Sequence, residues 1–233
     1  TVPIIQKATG VNIVAAATRF ALGERLRDME YGIGLHQRTP YVVVTVPVFS
    51  FSKMRGVETI LGPEMKSTGE VLGIDETFAG ALRKGFIGAG VRLPGSGGRI
   101  LVSIADEEKD EAVAVMRRYA DLGFTIVATP GTRTVLEAAG IVCEAINKIS
   151  DGSPHVLDVI GQRSVDLVIN DAKGPREMSD NYKIRRAAVE ASIACLTSLD
   201  TARALAEALE STAGPPRSLQ EYRSEAMTSE ASS

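Results

Sequence analysis

The sequence predicts an α/β protein: a small, doubly wound (Rossmann-type) domain built on a five-stranded parallel sheet, preceded by an α+β segment. Three observations lead there. Residues 99–210 alternate short apolar runs with stretches of helical length and spacing. Residues 93–98, Leu-Pro-Gly-Ser-Gly-Gly, consist largely of residue types no core can use and mark a linker. Residues 1–92 lack the alternation that follows.

Within 99–210 the expected strands are 99–104, 124–128, 144–146, 166–169 and 193–196. The expected helices are 107–120, 132–139, 155–162, 180–190 and 199–209. Short apolar strands joined by helices make βαβ units, and these build a parallel sheet covered on both faces. In the first part, 11–22 reads as a helix stopped by Gly23. Residues 41–49 read as a strand, and Pro47 places it at an edge or a strand end. A Gly-studded stretch, 61–70, follows, and Asp75 is the expected N-cap of a helix reaching Gly88. The tail 211–233 is rich in Ser, Thr, Glu and Pro without apolar periodicity, and is expected to be disordered.

The chain has 233 residues, enough for one or two domains with a real core. Its net charge of -3 gives no general attraction to nucleic acid or an anionic membrane. Cys143 and Cys195 both fall in apolar runs, so free thiols and a reducing compartment are expected, and the cytoplasm with it. Two His and two Cys at unrelated spacings argue against a zinc site. No stretch approaches the length of a membrane span. Thr1-Val2-Pro3 has neither an initiator Met nor the charged start of a signal peptide, so a piece of a longer chain is expected.

Ligands of open parallel sheets bind beyond the carboxyl ends of the strands. There the sequence places Asp106 to Lys109, then Thr129-Pro130-Gly131-Thr132, then Asn147 to Gly152, then Asn170-Asp171 and finally Thr197-Ser198. Gly131 permits close backbone approach, and a Thr-rich turn opening a helix offers hydroxyls and free amides to a phosphate. Lys109 and Lys148 flank that turn and supply positive charge, with Lys109 expected nearer solvent and Lys148 of greater weight. A capped strand-to-helix turn would explain the same residues without a ligand. Asp151 and His155 are candidate bases, or a turn residue and a helix-start residue. Glu64, Lys66 and Glu70 lie in the Gly-rich stretch, where charges ordinarily face solvent. No nucleophile-base-orienter triad is visible.

Several segments together resemble the carbamoyl-phosphate synthase large chain: Gly62-Pro63-Glu64-Met65-Lys66-Ser67-Thr68-Gly69-Glu70-Val71-Leu72-Gly73; Ala128-Thr129-Pro130-Gly131-Thr132; the run from Asn147 to His155; and 166–174 followed by Ile184-Arg185-Arg186-Ala187-Ala188. The resemblance covers about residues 1–210. It implies that 1–92 close the second ATP-grasp unit and that 99–210 form a methylglyoxal-synthase-like regulatory domain. The family's ATP and metal ligands precede a Thr-Val-Pro like Thr1-Val2-Pro3. This piece is therefore expected to hold no ATP, Mg or Mn, and no catalytic residue.

Carried over position by position, Lys109, Thr129, Thr132, Lys148 and Asn170 fall on the family's uridine or purine monophosphate (UMP/IMP) site. Glu70, Asp180 and Thr197 fall on its ornithine site. Glu70 and Asp180 are expected to face one shared cavity. Three departures stand out: Asp171-Ala172 after Asn170, where an added carboxylate would repel phosphate; Ser153 where an Arg is common; and Pro130 in place of His or Arg. The implied full enzyme makes carbamoyl phosphate from bicarbonate, glutamine-derived ammonia and ATP, for pyrimidine and arginine biosynthesis. Its implied partners are the upstream synthetase domains, a glutamine amidotransferase small chain and further copies in an oligomer, with no nucleic acid or membrane. The other readings are a free-standing methylglyoxal-synthase-like lyase acting on a triose phosphate, and an interface domain without ligand.

Overall fold

The computed structural model describes residues 2–31, 33–35, 38–51, 64–171, 175–211 and 214–230. Gly62, Pro63 and residues 172–174 of the strings above lie outside that set. The first part begins with α1 (Val2–Thr9) and α2 (Ile13–Ala21). The Asn12 side chain caps α2 by accepting the Ala15 amide, and Gly23 follows it in a left-handed conformation, φ 100°.

Next come β1 (Val42–Val48), β2 (Gly69–Asp75) and α3 (Phe78–Gly88). The two strands pair antiparallel, with Pro47 opposite Glu70, and α3 packs on them. The packing is close because two glycines face each other. A Cβ on Gly73 would stand 2.0 Å from the Ala81 carbonyl oxygen and 2.6 Å from the Gly85 amide. The Gly-studded stretch thus runs into a strand, which turn-type residues had concealed.

The second part is β3 (Arg99–Ile104), α4 (Lys109–Asp121), β4 (Thr125–Ala128), α5 (Pro130–Ala138), β5 (Cys143–Ala145), α6 (Val156–Gly161), β6 (Leu167–Asp171), α7 (Pro175–Glu190), β7 (Ala194–Leu196) and α8 (Leu199–Glu210). Its strands form one all-parallel sheet in the order β5-β4-β3-β6-β7. The chain winds outward from β3 through β4 and β5, then returns to β6 on the other side. The switch point lies between β3 and β6.

Side chains alternate across the sheet. Ile100, Val102, Leu167 and Ile169 join Tyr119, Leu136 and Leu205 of α4, α5 and α8. Leu101 and Val168 join Val156, Ile160, Ile184 and Ala188 of α6 and α7. Strands buried on both faces explain why these runs read as continuously apolar.

Three expectations are corrected. Asp75 does not cap α3: Thr77 does, its hydroxyl accepting the Gly80 amide at 3.1 Å. Asp75 closes β2 instead and pairs with Lys84 at 2.7 Å. Burial pushes this carboxyl up, but Lys84 and the backbone amides of Thr77 and Glu76 outweigh it and hold it below the usual carboxylate range.

The tail is not featureless, because α9 (Leu219–Glu230) follows. Tyr222 is buried beside Tyr41 and Ile74, its hydroxyl donates to the Ile74 carbonyl at 3.0 Å, and Lys84 reaches that hydroxyl at 3.0 Å. Tyr222, Leu219 and the Arg223 guanidinium, which donates to the Gln6 and Lys7 carbonyls, carry this docking, too sparse a set to show as periodicity.

Residues 93–98 separate the two sets of elements but not two cores. Val46, Leu82 and Phe86 belong to the same cluster as Ile100 and Leu205, Arg83 donates to the Ala208 carbonyl at 3.2 Å, and Pro94 is buried.

Gly73→Ala is therefore expected to destabilise the chain by about 2–3 kcal/mol, since neither colliding backbone can yield without moving α3. Urea unfolding followed by circular dichroism measures this; unchanged stability would contradict the close approach of α3 to β2.

Candidate functional site at the carboxyl edge of the sheet

At the switch point a cavity of about 390 Å³ opens beyond the strand ends. That volume suits a small ligand. Its wall comes from the end of β3 with Asp106 and Lys109, the Thr129–Thr132 turn, Lys148 to Ser150 after β5, and Asp180 and Asn181 on α7.

The turn is built from below. Thr132 is 1% exposed, and its hydroxyl accepts the Ile104 amide at 3.1 Å while receiving Thr129 at 3.3 Å. This ties the start of α5 to the end of β3. Pro130 stands at the first helical position, where its missing amide costs nothing. The first backbone bond of the helix runs from the Arg133 amide to the Thr129 carbonyl, so the amides of Gly131 and Thr132 lie ahead of it. Two such amides at a helix start, with the positive end of its dipole, form an anion subsite.

Lys109 completes it. A Cβ on Gly131 would stand 2.6 Å from the Lys109 ammonium, so the flexible end of the lysine lies against the bare backbone of the turn. The Lys109 side chain is 14% exposed and pairs with Asp106. The hydrogen bond and charge of Lys109, and at longer range Lys148, hold the Asp106 carboxyl below its ordinary value. Lys148 is exposed on the opposite wall. The expected order is thus reversed: Lys109 is the more enclosed lysine, because it lies against the bare backbone of Gly131.

Asn170 is differently placed from its expected role. Fully buried, it does not line the cavity; its side chain donates to Asn181 at 2.9 Å and accepts from Arg185 at 3.2 Å. Asp171 does not threaten a phosphate. The strand alternation turns it to the opposite face, where its carboxylate accepts the Leu199 amide at the start of α8, 3.0 Å away.

Asp151 and His155 do not line the cavity either. Ser150 donates to Asp151, and the His155 backbone amide donates to Asp158 at the start of α6. Among the polar wall residues, Asp106 was placed at this edge without a role and Asn181 was not singled out. Asp106 opens the segment after the first expected strand, and Asn181 adjoins Asp180.

A second cavity, of about 440 Å³, lies between the two parts, walled by Pro47 to Phe49, Phe51, Ala89 to Arg92, Arg185, Val189, Ser192 to Cys195 and Thr197. The residues expected at an ornithine site are divided. Thr197 lines this cavity, Asp180 lines the sheet-edge cavity, and exposed Glu70 lines neither, though it stands across from Pro47 in the β1–β2 pair. The shared cavity expected for Glu70 and Asp180 is not found, because α7 places Asp180 at the sheet-edge cavity, where it pairs with Lys183 at 3.1 Å. Exposed Glu64 and half-buried Lys66 line neither cavity.

A family model of the MGS-like domain matches residues 111–197. The chain is 47% identical over 212 residues to the carbamoyl phosphate synthase large chain of Agathobacter rectalis, a match covering 90% of this chain and 20% of that protein. Against the same-named protein of Lachnoclostridium phytofermentans it is 44% identical over 220 residues, covering 94% and 20%. The chain carries an MGS-like domain and is similar along nearly its whole length to carbamoyl phosphate synthase large chains.

It matches a C-terminal fragment of those large chains and spans about a fifth of the length of the curated relatives it matches. The five-stranded all-parallel sheet accords with the MGS-like assignment. Among the described residues no helix is long and apolar enough to cross a membrane, and no group of three or more His, Cys, Asp or Glu is placed to hold a metal ion.

Asp106 competes with any bound phosphate for Lys109. Asp106→Asn is therefore expected to tighten phosphate-ester binding about two- to fivefold, the scale of an exposed ion pair. Isothermal titration at fixed salt measures it; weaker binding would show that Asp106 itself contacts the ligand.

Proposed function

We propose that this chain is the regulatory portion of a carbamoyl phosphate synthase large chain, and that the sheet-edge cavity binds a nucleoside monophosphate such as UMP or IMP. The observation that supports it most is the subsite of Gly131 and Thr132 amides with the Lys109 ammonium packed against Gly131. A phosphate dianion needs clustered donors and positive charge, and finds both there. The remaining cavity, with Ile149, Val156, Ile184 and Asn181, offers apolar and amide surface to a nucleoside.

In this reading the ligand is an effector. It acts through the polypeptide on ATP-dependent synthesis of carbamoyl phosphate elsewhere in the full enzyme, which supplies the ATP and metal sites and draws ammonia from the glutamine amidotransferase small chain. The piece alone is inactive. Ornithine would belong near Thr197 and Glu70 rather than Asp180, since the second cavity borders the β1 residue opposite Glu70.

The lyase reading loses its candidate bases, because Asp151 and His155 lie off the cavity wall. Incubation with dihydroxyacetone phosphate should yield no methylglyoxal; turnover would favour the lyase.

For the effector reading, Lys109→Ala should weaken UMP by about 1.5–3 kcal/mol, the range of a hydrogen bond to a charged group. Lys148→Ala should weaken it less, because that lysine is exposed. Isothermal titration of both variants decides: equal affinity for UMP and uridine, or no loss on Lys109→Ala, would remove the phosphate from this site.

A further inference from the structure

The two cavities share no lining residue, though α7 contributes to both, and one buried side chain touches a residue of each. Asn170 is fully buried at the end of β6. Its amide nitrogen donates to the Asn181 side-chain oxygen at 2.9 Å, and Asn181 lines the sheet-edge cavity. Its amide oxygen accepts from Arg185 Nε at 3.2 Å, and Arg185 lines the second cavity. A further guanidinium N–H reaches the Asn170 carbonyl oxygen at 3.3 Å.

Asn181 and Arg185 stand four residues apart on α7, one turn from each other on the same side. A buried amide has no water to replace a lost partner, so losing the Asn181 bond carries a desolvation penalty that favours reorientation of Asn170. If a ligand draws Asn181 toward itself, Asn170 reorients, and the bond to Arg185 Nε goes with it. Arg185 has five donors and gives two to Asn170, so it can shift toward other acceptors in its own cavity.

We propose that Asn170 is a positioning residue that couples the two cavities, so that occupancy of the sheet-edge cavity alters the placement of Arg185 in the other. The proposal rests on the phosphate-site reading only for its ligand-driven arm. The transmitting element is the bond pair Asn181–Asn170–Arg185, not a movement of the sheet.

Cys195 is the natural reporter. It lines the second cavity, and Arg185 is the charged group whose field opposes the burial that raises its thiol. Cys195 and Arg185 line the same cavity, so a shift of Arg185 is expected to alter the charge and access around the thiol.

The experiment uses the whole chain and measures alkylation of Cys195 by iodoacetamide, located by peptide mass mapping so that Cys143 is not counted. Saturating UMP should change the Cys195 rate at least threefold in the wild type, and this change should vanish in Asn181→Ala. Arg185→Lys, which alters no residue of the UMP cavity wall, should weaken UMP at least threefold, whereas Arg92→Lys in the same second cavity should not. UMP that binds yet leaves Cys195 unchanged, or equal UMP affinity in Arg185→Lys and wild type, overturns the coupling. If UMP and inorganic phosphate both fail to bind, the phosphate reading falls. The relay is then judged by Asn181→Ala alone, where an unchanged Cys195 rate overturns it and a threefold change upholds it.

Discussion

The structure depends on β3 and β6 lying side by side with both faces covered. Ile100, Leu101, Val102, Leu167, Val168 and Ile169 are all fully buried. Burial contributes about 1.5–3 kcal/mol for each such side chain. A slip of one residue in β6 would turn every one of its side chains to the wrong face. The register, with Ser103 opposite Asn170 and Ile104 opposite Asp171, is therefore imposed by the core. That register sends Asn170 to α7 and the cavities, and Asp171 to the start of α8.

The site follows from the same constraint. Because β3 and β6 diverge in connectivity, the loops beyond them separate and leave a crevice. Thr132 closes its floor by accepting the Ile104 amide, so the helix start that offers free amides is held against β3 itself. Lys109 lies against the bare backbone of Gly131. Its pairing with Asp106 leaves the charge partly satisfied in the empty site, so an incoming anion exchanges partners with an ion pair.

Much of this was legible in the sequence, for reasons that differ by element. The sheet was legible because strands buried on both faces must be continuously apolar, and runs such as Ile100-Leu101-Val102 are. The Thr129–Thr132 turn was legible because its position beyond a strand and its residue types coincide. The β2 strand was missed because Gly73 marks a close approach of α3, which together with Gly69 reads locally as a turn. The docking of α9 was missed because it depends on Tyr222 meeting Tyr41 and Ile74, contacts spanning most of the chain. Asn170 was misassigned because neighbouring residues of a strand face opposite ways, and only the register decides which polar group is a ligand contact and which a strut.

The central claim is that the Gly131 and Thr132 amides receive a phosphate. It is tested most directly by ¹⁵N-resolved NMR titration of the chain with UMP and, separately, with uridine. The account predicts saturable shifts of these two amides with UMP, larger than any on the β1–β2 pair, and none of that size with uridine. Equal shifts with both ligands, or UMP shifts confined to the walls of the second cavity, would contradict it.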